Sequence, residues 1–171
     1  MNLSSFIRDV PDFPKKGIVF KDITPLLQSP EAFLHAVRLM AGPFRDKGVS
    51  KVAGIESRGF IFGTALAQAF GAGFVPVRKK GKLPYKTLSE SYALEYGTDA
   101  VEVHEDAVEQ GERVLLVDDL LATGGTAAAS VALLRRLGAE IAGATFLIEL
   151  AFLQGRERIP DVPFHTVLRY D

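Results

Sequence analysis

Residues 114–126 read VLLVDDLLATGGT, and this stretch decides the predicted fold. Four apolar residues, 114–117, form a short continuous run that is typical of a buried parallel strand. Two adjacent carboxylates, Asp118 and Asp119, follow directly. A turn of small and hydroxyl residues then opens into an Ala/Leu-rich segment, residues 127–137, that favours a helix. The stretch therefore predicts a strand, an acidic pair and a turn at a helix N-terminus.

The composition of this turn indicates an anion site beside a site for hydroxyls or metal. Its backbone N–H groups and the helix dipole suit a dianionic phosphate. Glycines let the backbone approach a ligand closely. The preceding carboxylates suit vicinal hydroxyls or a hydrated Mg²⁺. A sugar phosphate would satisfy both halves, with its phosphate on the turn residues Ala122, Thr123, Gly124, Gly125 and Thr126.

The rest of the chain alternates between strand and helix patterns. Apolar runs predict strands at residues 52–55, 74–77 and 141–150, and residues 59–70 predict a helix. Alternation of this kind is typical of an α/β fold with a mainly parallel sheet and flanking helices. Ligands of such sheets bind at the carboxyl ends of the strands, where Asp118 and Asp119 fall. Helical spacing of apolar residues also predicts a short N-terminal helix that Pro11 ends.

The composition excludes several classes of protein. The chain has 171 residues, 47% of them hydrophobic, with a formal net charge of −1. We therefore expect a single domain, residues 1–171, with no surface for nucleic acid. The sequence holds no cysteine, which excludes disulfides and thiolate chemistry. No apolar run reaches the length of a membrane span, so a soluble cytoplasmic protein is expected.

A second strand-to-helix corner lies at residues 54–63, GIESRGFIFG. Ser57 and Arg58 stand at its tip, where helix N–H groups and a guanidinium suit another phosphate group. A polar excursion, residues 78–96, begins with four cations. We interpret Arg78 and Lys82 as a pyrophosphate clamp. Two further cations, Lys79 and Lys80, are expected to be solvated, and residues 92–96 are predicted as the second strand of a hairpin.

All thirteen positions of residues 114–126 fit the 5-phosphoribosyl-1-pyrophosphate (PRPP) binding motif, so the chain resembles the type I phosphoribosyltransferases. Five more segments resemble the adenine phosphoribosyltransferase family within that class: FPKKGIVFKDITPLL (13–27), GIESRGFIFG (54–63), RKKGKLP (78–84), SYALEYG (91–97) and IELAFLQGRE (148–157). The resemblance implies the type I fold, with a small N-terminal hood (about residues 1–30) and a flexible lid (about residues 78–97).

The resemblance also implies a pentosyltransferase of purine salvage that converts adenine and PRPP into AMP and pyrophosphate. It implies Mg²⁺ bound mainly through PRPP, with Asp118 or Asp119 as candidates for a water-mediated contact, and a homodimer. The two carboxylates are expected to bind the ribose hydroxyls, directly or through water and metal. Glu95 matches the family's acid–base position. The peptide joining Glu56 to Ser57 is expected to be cis.

Selectivity for adenine requires an acceptor for its amine beside a donor for N1. We expect the Val19 carbonyl and the Lys21 N–H to supply them, with Phe20 stacking on one face of the ring and Leu150 closing the other. Phosphoribosyltransferases for 6-oxopurines usually carry an acid just before the TG of the motif, where this chain has Ala122.

Two alternatives stay open at this point. One is a phosphoribosyltransferase for another purine base. The other is a non-catalytic regulator that senses PRPP or purines. A regulator would need a surface for nucleic acid, and the sequence offers neither a spare helix-turn-helix nor a basic stripe.

Overall fold

The structure, a computed structural model, describes residues 1–94 and 96–171. The chain forms two compact units, Met1–Leu39 and Met40–Asp171. Among the described residues, no helix is both long enough and apolar enough to cross a membrane.

The first unit contains a two-stranded antiparallel sheet and short helices. A 3-10 turn at Leu3–Phe6 precedes β1 (Arg8–Pro11), which pairs with β2 (Val19–Asp22); α1 (Thr24–Gln28) and most of α2 (Pro30–Ala41) follow. The predicted N-terminal helix is wrong beyond Phe6, because Val10 pairs with Phe20 across the sheet. An apolar pattern this short is compatible with either structure, and the antiparallel partner decides in favour of the strand.

The second unit is built on a seven-stranded sheet. Its main elements are β3 (Lys51–Ile55), α3 (Gly59–Phe70), β4 (Gly73–Lys79), β5 (Thr87–Ala93), β6 (Thr98–His104), β7 (Arg113–Leu121), α4 (Gly125–Arg136), β8 (Glu140–Leu150) and β9 (Phe164–Tyr170). The strand order is β5-β6-β4-β3-β7-β8-β9. Strands β4, β3, β7, β8 and β9 run parallel, whereas β6 is antiparallel to both of its neighbours, β4 and β5. The predicted α/β fold with a mainly parallel sheet is confirmed.

Strand β7, the middle one of the five parallel strands, contributes several fully buried residues to the core. Residues 114–117 are fully buried, as the apolar run predicted. The strand continues past the acidic pair to Leu121, which pairs with Glu149 of β8. Asp118 and Asp119 therefore lie inside the strand rather than after it.

A hairpin is present in the predicted lid region, but its boundaries differ from the prediction. Tyr92 lies in the first strand, β5, and the second strand begins at Thr98. The turn is closed by a bond from the Leu94 N–H to the Gly97 carbonyl, 2.9 Å, and Gly97 has a φ of 82°. A glycine that readily adopts positive φ places the turn at that point. The predicted second strand at residues 92–96 is therefore wrong.

Two glycines allow α3 to pack directly on β3. A Cβ added to Gly54 would lie 2.7 Å from the Phe74 ring and 3.0 Å from the Gly59 carbonyl, and one added to Gly63 would lie 2.8 Å from the same ring. This close approach positions the N-terminus of α3 at the carboxyl edge of the sheet.

We predict that Gly54→Ala lowers the free energy of unfolding by about 1–3 kcal/mol, because overpacking displaces the ring and the helix. Urea denaturation measures the change. Gly42→Ala is the matched control, since an added methyl group there has no atom within 4 Å. Equal stabilities of the two variants would contradict the packing argument.

Candidate active site

The two strand-to-helix corners predicted from separate stretches of sequence meet at one place. Strand β3 lies beside β7, and the first residue of α3, Gly59, abuts the acidic pair. A Cβ on Gly59 would lie 2.8 Å from Asp118 Oδ1. Arg58 Nε lies 2.7 Å from Asp119 Oδ2. The structure therefore brings Arg58, Asp118 and Asp119 into one cluster.

The negative charges of the acidic pair are unfavourable in the folded protein. Burial raises the pKa of Asp118 well above its usual range, and the Asp119 charge raises it further. Burial also raises the pKa of Asp119, although the Arg58 guanidinium opposes this shift. Asp119 is 5% exposed, whereas Asp118 lines a cavity. Two adjacent carboxylates at this edge favour a partner that brings hydroxyl donors or positive charge.

The predicted phosphate turn lines a cavity of about 90 Å³ at the N-terminus of α4. Helix α4 begins at Gly125, and Gly124 precedes it with a φ of 83°. The first N–H groups of a helix have no intrahelical acceptor, so they are available to an anion. The lining residues are Asp118, Leu120, Leu121, Ala122, Thr123, Gly124, Gly125, Thr126, Ala127 and Phe146. One cavity thus holds the turn and one carboxylate together.

Arg78, one of the predicted pyrophosphate residues, is held by contacts at the ends of β3 and β4. Arg78 donates from Nε to Glu56 Oε2, 3.2 Å, and from Nη1 to the Lys82 carbonyl, 3.2 Å. The Glu56–Ser57 peptide is cis, as expected. Partial burial acts to raise the pKa of Glu56, but hydrogen bonds from Arg78 and from the Lys79 N–H lower it overall. Ser57 and Lys82 are exposed.

Lys79 is ion-paired, contrary to the expectation that it is only solvated. Its ammonium group bonds to Tyr92 Oη, 2.6 Å, and to the Asp99 carboxylate. Burial acts to lower the pKa of Lys79, but these two bonds raise it overall. The signal was present in the sequence, because Lys79 follows Val75 and Val77 at a spacing of two and shares their buried side of β4.

Lys79 belongs to a larger cavity of about 550 Å³ that adjoins the phosphate turn. Its lining residues are Lys79, Tyr92, Ala93, Leu94, Thr123, Gly125, Thr126 and Arg158. Arg158 was also missed by sequence reasoning. The hairpin strand β5 therefore ends against the same helix N-terminus that carries the phosphate turn.

The predicted adenine residues lie in both units, which are described separately. In the first unit, Phe20 and Phe13 meet edge to face, with ring centroids 5.2 Å apart, and line a cavity of about 190 Å³. Lys21 Nζ lies 2.7 Å from Asp9 Oδ1. In the second unit, Leu150 is the half-buried last residue of β8.

Val19 is half exposed at the start of β2 and stands two residues before Lys21. Backbone groups two residues apart in a strand point to the same side, so the Val19 carbonyl and the Lys21 N–H lie on one side of β2. Glu95, the predicted acid–base residue, lies outside the described residues.

Within residues 1–94 and 96–171, no group of three or more acidic or histidine side chains could hold a metal ion by itself. The acidic pair offers two carboxylates at most. A Mg²⁺ ion at this edge would need oxygen ligands from water or from a bound substrate.

Comparison with known proteins agrees with this geometry. The family model of the phosphoribosyl transferase domain matches residues 22–165. The chain is 54% identical to the adenine phosphoribosyltransferase of Thermotoga petrophila, over 99% of this chain and 100% of that protein.

Solved structures give the same result. The adenine phosphoribosyltransferase of Rhodothermus marinus is 59% identical, with a TM-score of 0.95, and the match covers 98% of this chain and 96% of that one. The enzyme of Saccharomyces cerevisiae, solved with an imino-altritol bisphosphate and adenine, is 40% identical, with a TM-score of 0.91, over 97% and 96% of the two chains.

The fold and the phosphate turn define this chain as a type I phosphoribosyltransferase. Its identity to the relatives over nearly the whole length is more specific. The chain belongs to the adenine phosphoribosyltransferase family.

We predict that Asp118→Asn stabilises the free protein at neutral and alkaline pH. Folding raises the pKa of Asp118, so the folded protein binds the proton of the Asp118 carboxyl group more tightly than the unfolded chain does. The contribution of Asp118 to stability is therefore greatest at acid pH and is lost as the pH rises through its raised pKa. Urea unfolding measures the free energy of unfolding at pH 5 and at pH 8. The decrease from pH 5 to pH 8 should be smaller in the variant than in the wild type.

Asp106→Asn, at an exposed position, controls for the loss of one negative charge. It should leave the pH dependence of unfolding as in the wild type. An Asp118→Asn protein that is less stable than the wild type at pH 8 would disprove the claim that the Asp118 charge destabilises the folded state.

Proposed function

We propose that this chain transfers the 5-phosphoribosyl group from PRPP to adenine, giving AMP and pyrophosphate in purine salvage. The observation that carries the proposal is the glycine-rich turn at the N-terminus of α4 with a buried acidic pair beside it. Membership of the adenine phosphoribosyltransferase family supports it. The family relationship also disfavours another purine base and a non-catalytic sensor.

The 5-phosphate binds residues 122–126 in this proposal. Backbone N–H groups supply most of its hydrogen bonds, and the Thr123 and Thr126 hydroxyls add others. Asp118 and Asp119 bind the ribose hydroxyls. Their negative charge also stabilises the positive charge that develops on the ribose ring as the bond from C1 to pyrophosphate breaks.

The pyrophosphate binds Ser57, Arg58, Arg78 and Lys82. Both arginines already lie at the carboxyl ends of β3 and β4, within reach of the acidic pair or of Glu56. Mg²⁺ would enter with PRPP, held by pyrophosphate oxygens and by water that Asp118 or Asp119 orients. It would supply charge neutralisation on the leaving group.

Adenine binds through the backbone of β2. The Val19 carbonyl accepts a hydrogen bond from the amine, and the Lys21 N–H donates one to N1. Phe20 stacks on the ring, and Leu150 closes its other face. A 6-oxopurine presents the opposite donor and acceptor, which would leave two protein groups unpaired.

Glu95 exchanges a proton with the imidazole edge of adenine as the new C1–N bond forms. The support for this role is the family position within SYALEYG and the absence of an acid at Ala122. We further propose a homodimer in the cytoplasm, on the strength of the family resemblance. Analytical ultracentrifugation of the purified protein would test the oligomeric state.

The central test is a steady-state assay with PRPP, Mg²⁺ and each of adenine, hypoxanthine, guanine and xanthine. We expect kcat/KM for adenine to exceed that for each oxopurine by at least about 30-fold, since two unpaired groups cost at least about 1 kcal/mol each. Turnover of hypoxanthine at the adenine rate would disprove the base assignment, and no turnover of adenine would disprove the function.

Lys21→Ala is the matched control for this assay. Because the discriminating donor is backbone, the variant should keep the preference for adenine. A complete loss of base preference would show that the Lys21 side chain, rather than its N–H, selects the base.

We predict that Glu95→Gln lowers kcat by roughly 100-fold or more, the usual effect of losing one positioned proton-transfer group, while KM for adenine changes less. Glu90→Gln, earlier in the chain, is the control for the loss of one carboxylate. Glu90 pairs with Arg136 at 3.0 Å, and its loss should change kcat little. An ordinary kcat in Glu95→Gln would rule out the catalytic role.

A further inference from the structure

The segment that follows β8 turns back and packs its backbone on the phosphate turn. Gly155, buried and lying at the start of the 3-10 turn Gly155–Arg158, lies against Gly124 and Ala122. A Cβ on Gly124 would overlap the Gly155 carbonyl oxygen, and a Cβ on Gly155 would overlap the Ala122 carbonyl oxygen. No side chain fits between these backbones, so the position of Gly155 limits the positions open to the turn.

The neighbouring residue, Arg156, is held by a buried carboxylate. Arg156 Nε donates to Glu149 Oε1, 2.7 Å, and Nη2 donates to Glu149 Oε2, 2.6 Å. Glu149 is 1% exposed. The guanidinium also lies over the Phe164 ring, 4.6 Å from its centroid. A bidentate pair of this kind fixes direction as well as distance.

Glu149 is itself tied to the start of the phosphate turn. It pairs with Leu121 across β7 and β8, and Leu121 is the residue before Ala122. These contacts link the two ends of the turn. Leu121 pairs with Glu149 in the sheet, and Glu149 forms the ion pair with Arg156. Gly155, the residue before Arg156, then packs on Gly124 through the backbone. The turn is therefore held both at its start, by the sheet, and at Gly124, by Gly155.

We propose that Glu149 and Arg156 are positioning residues for PRPP, which hold Gly155 against residues 122–124 so that the turn's N–H groups keep the geometry that binds the 5-phosphate. Neither residue lines the 90 Å³ cavity, so neither contacts the phosphate there. This inference rests on the proposed function. It adds a second structural support to a turn whose known signature is confined to residues 114–126.

The first test variant is Arg156→Met, which removes both guanidinium hydrogen bonds to Glu149 and keeps much of the apolar volume of the side chain. We expect KM for PRPP to rise about tenfold, because small displacements of a binding group are costly, while KM for adenine stays within about twofold. Arg156→Lys keeps a charge opposite Glu149 but loses the fork, so it should show a smaller rise, about threefold.

The control is Arg135→Met, which breaks another ion pair, from Arg135 of α4 to Asp161 at 2.8 Å. Both partners there are well exposed, and KM for PRPP should not change. Calorimetric titration with ribose 5-phosphate gives a readout that does not depend on turnover. Its affinity should fall in the Arg156 variants in the same proportion as KM rises.

The outcomes are distinguishable. A wild-type protein without adenine turnover overturns the proposed function. An active wild type, with Arg156→Met and Arg156→Lys both within twofold of it in KM for PRPP and in ribose 5-phosphate affinity, overturns the positioning role alone. If Arg156→Met fails to fold, Arg156→Lys decides. Equal increases in KM for adenine and PRPP would indicate a general structural effect and would also overturn the proposal.

Discussion

The structure depends on the burial of two adjacent carboxylates in β7, the middle one of the five parallel strands. Asp118 and Asp119 follow four fully buried apolar residues, and burial raises the pKa of both. An arrangement of this kind costs stability unless other groups compensate. The surrounding architecture does so in part: α3 begins at Gly59, which has no side chain to obstruct Asp118, and Arg58 lies 2.7 Å from Asp119. The glycines that let α3 approach the sheet therefore also place Arg58 beside Asp119 and leave space for Asp118.

How far the sequence predicts this site depends on how local each signal is. The strand, acidic pair, glycine turn and helix of residues 114–137 are contiguous, and the structure has each of them within a few residues of the prediction. The partners of Lys79 lie 13 and 20 residues away, so its pairing required the hairpin register to be known. That register was predicted wrongly, because residues 92–96 were assigned to the second strand. Strand β9 was missed altogether.

The Glu149–Arg156 pair illustrates a different limit. The two residues are close in sequence, but their contact depends on a left-handed residue, Gln154 with a φ of 55°, that reverses the chain. Non-glycine residues rarely adopt this conformation, so the sequence gives little warning of the reversal. A glutamate at the end of the apolar run IAGATFLIEL was the available signal, since a buried acid is expected to have a cationic partner.

The two anion sites of the proposed reaction differ in how the free protein is prepared for them. The 5-phosphate turn uses backbone N–H groups, which no side chain of the protein has to release. The two arginines assigned to pyrophosphate are already paired: Arg58 with Asp119, and Arg78 with Glu56. In the proposed reaction, binding of PRPP would exchange protein carboxylates for pyrophosphate oxygens at these guanidinium groups. The same carboxylates compete for the arginines when pyrophosphate leaves. This competition would weaken the binding of the pyrophosphate product, and residues 122–126 would keep the ribose 5-phosphate in place throughout the proposed transfer.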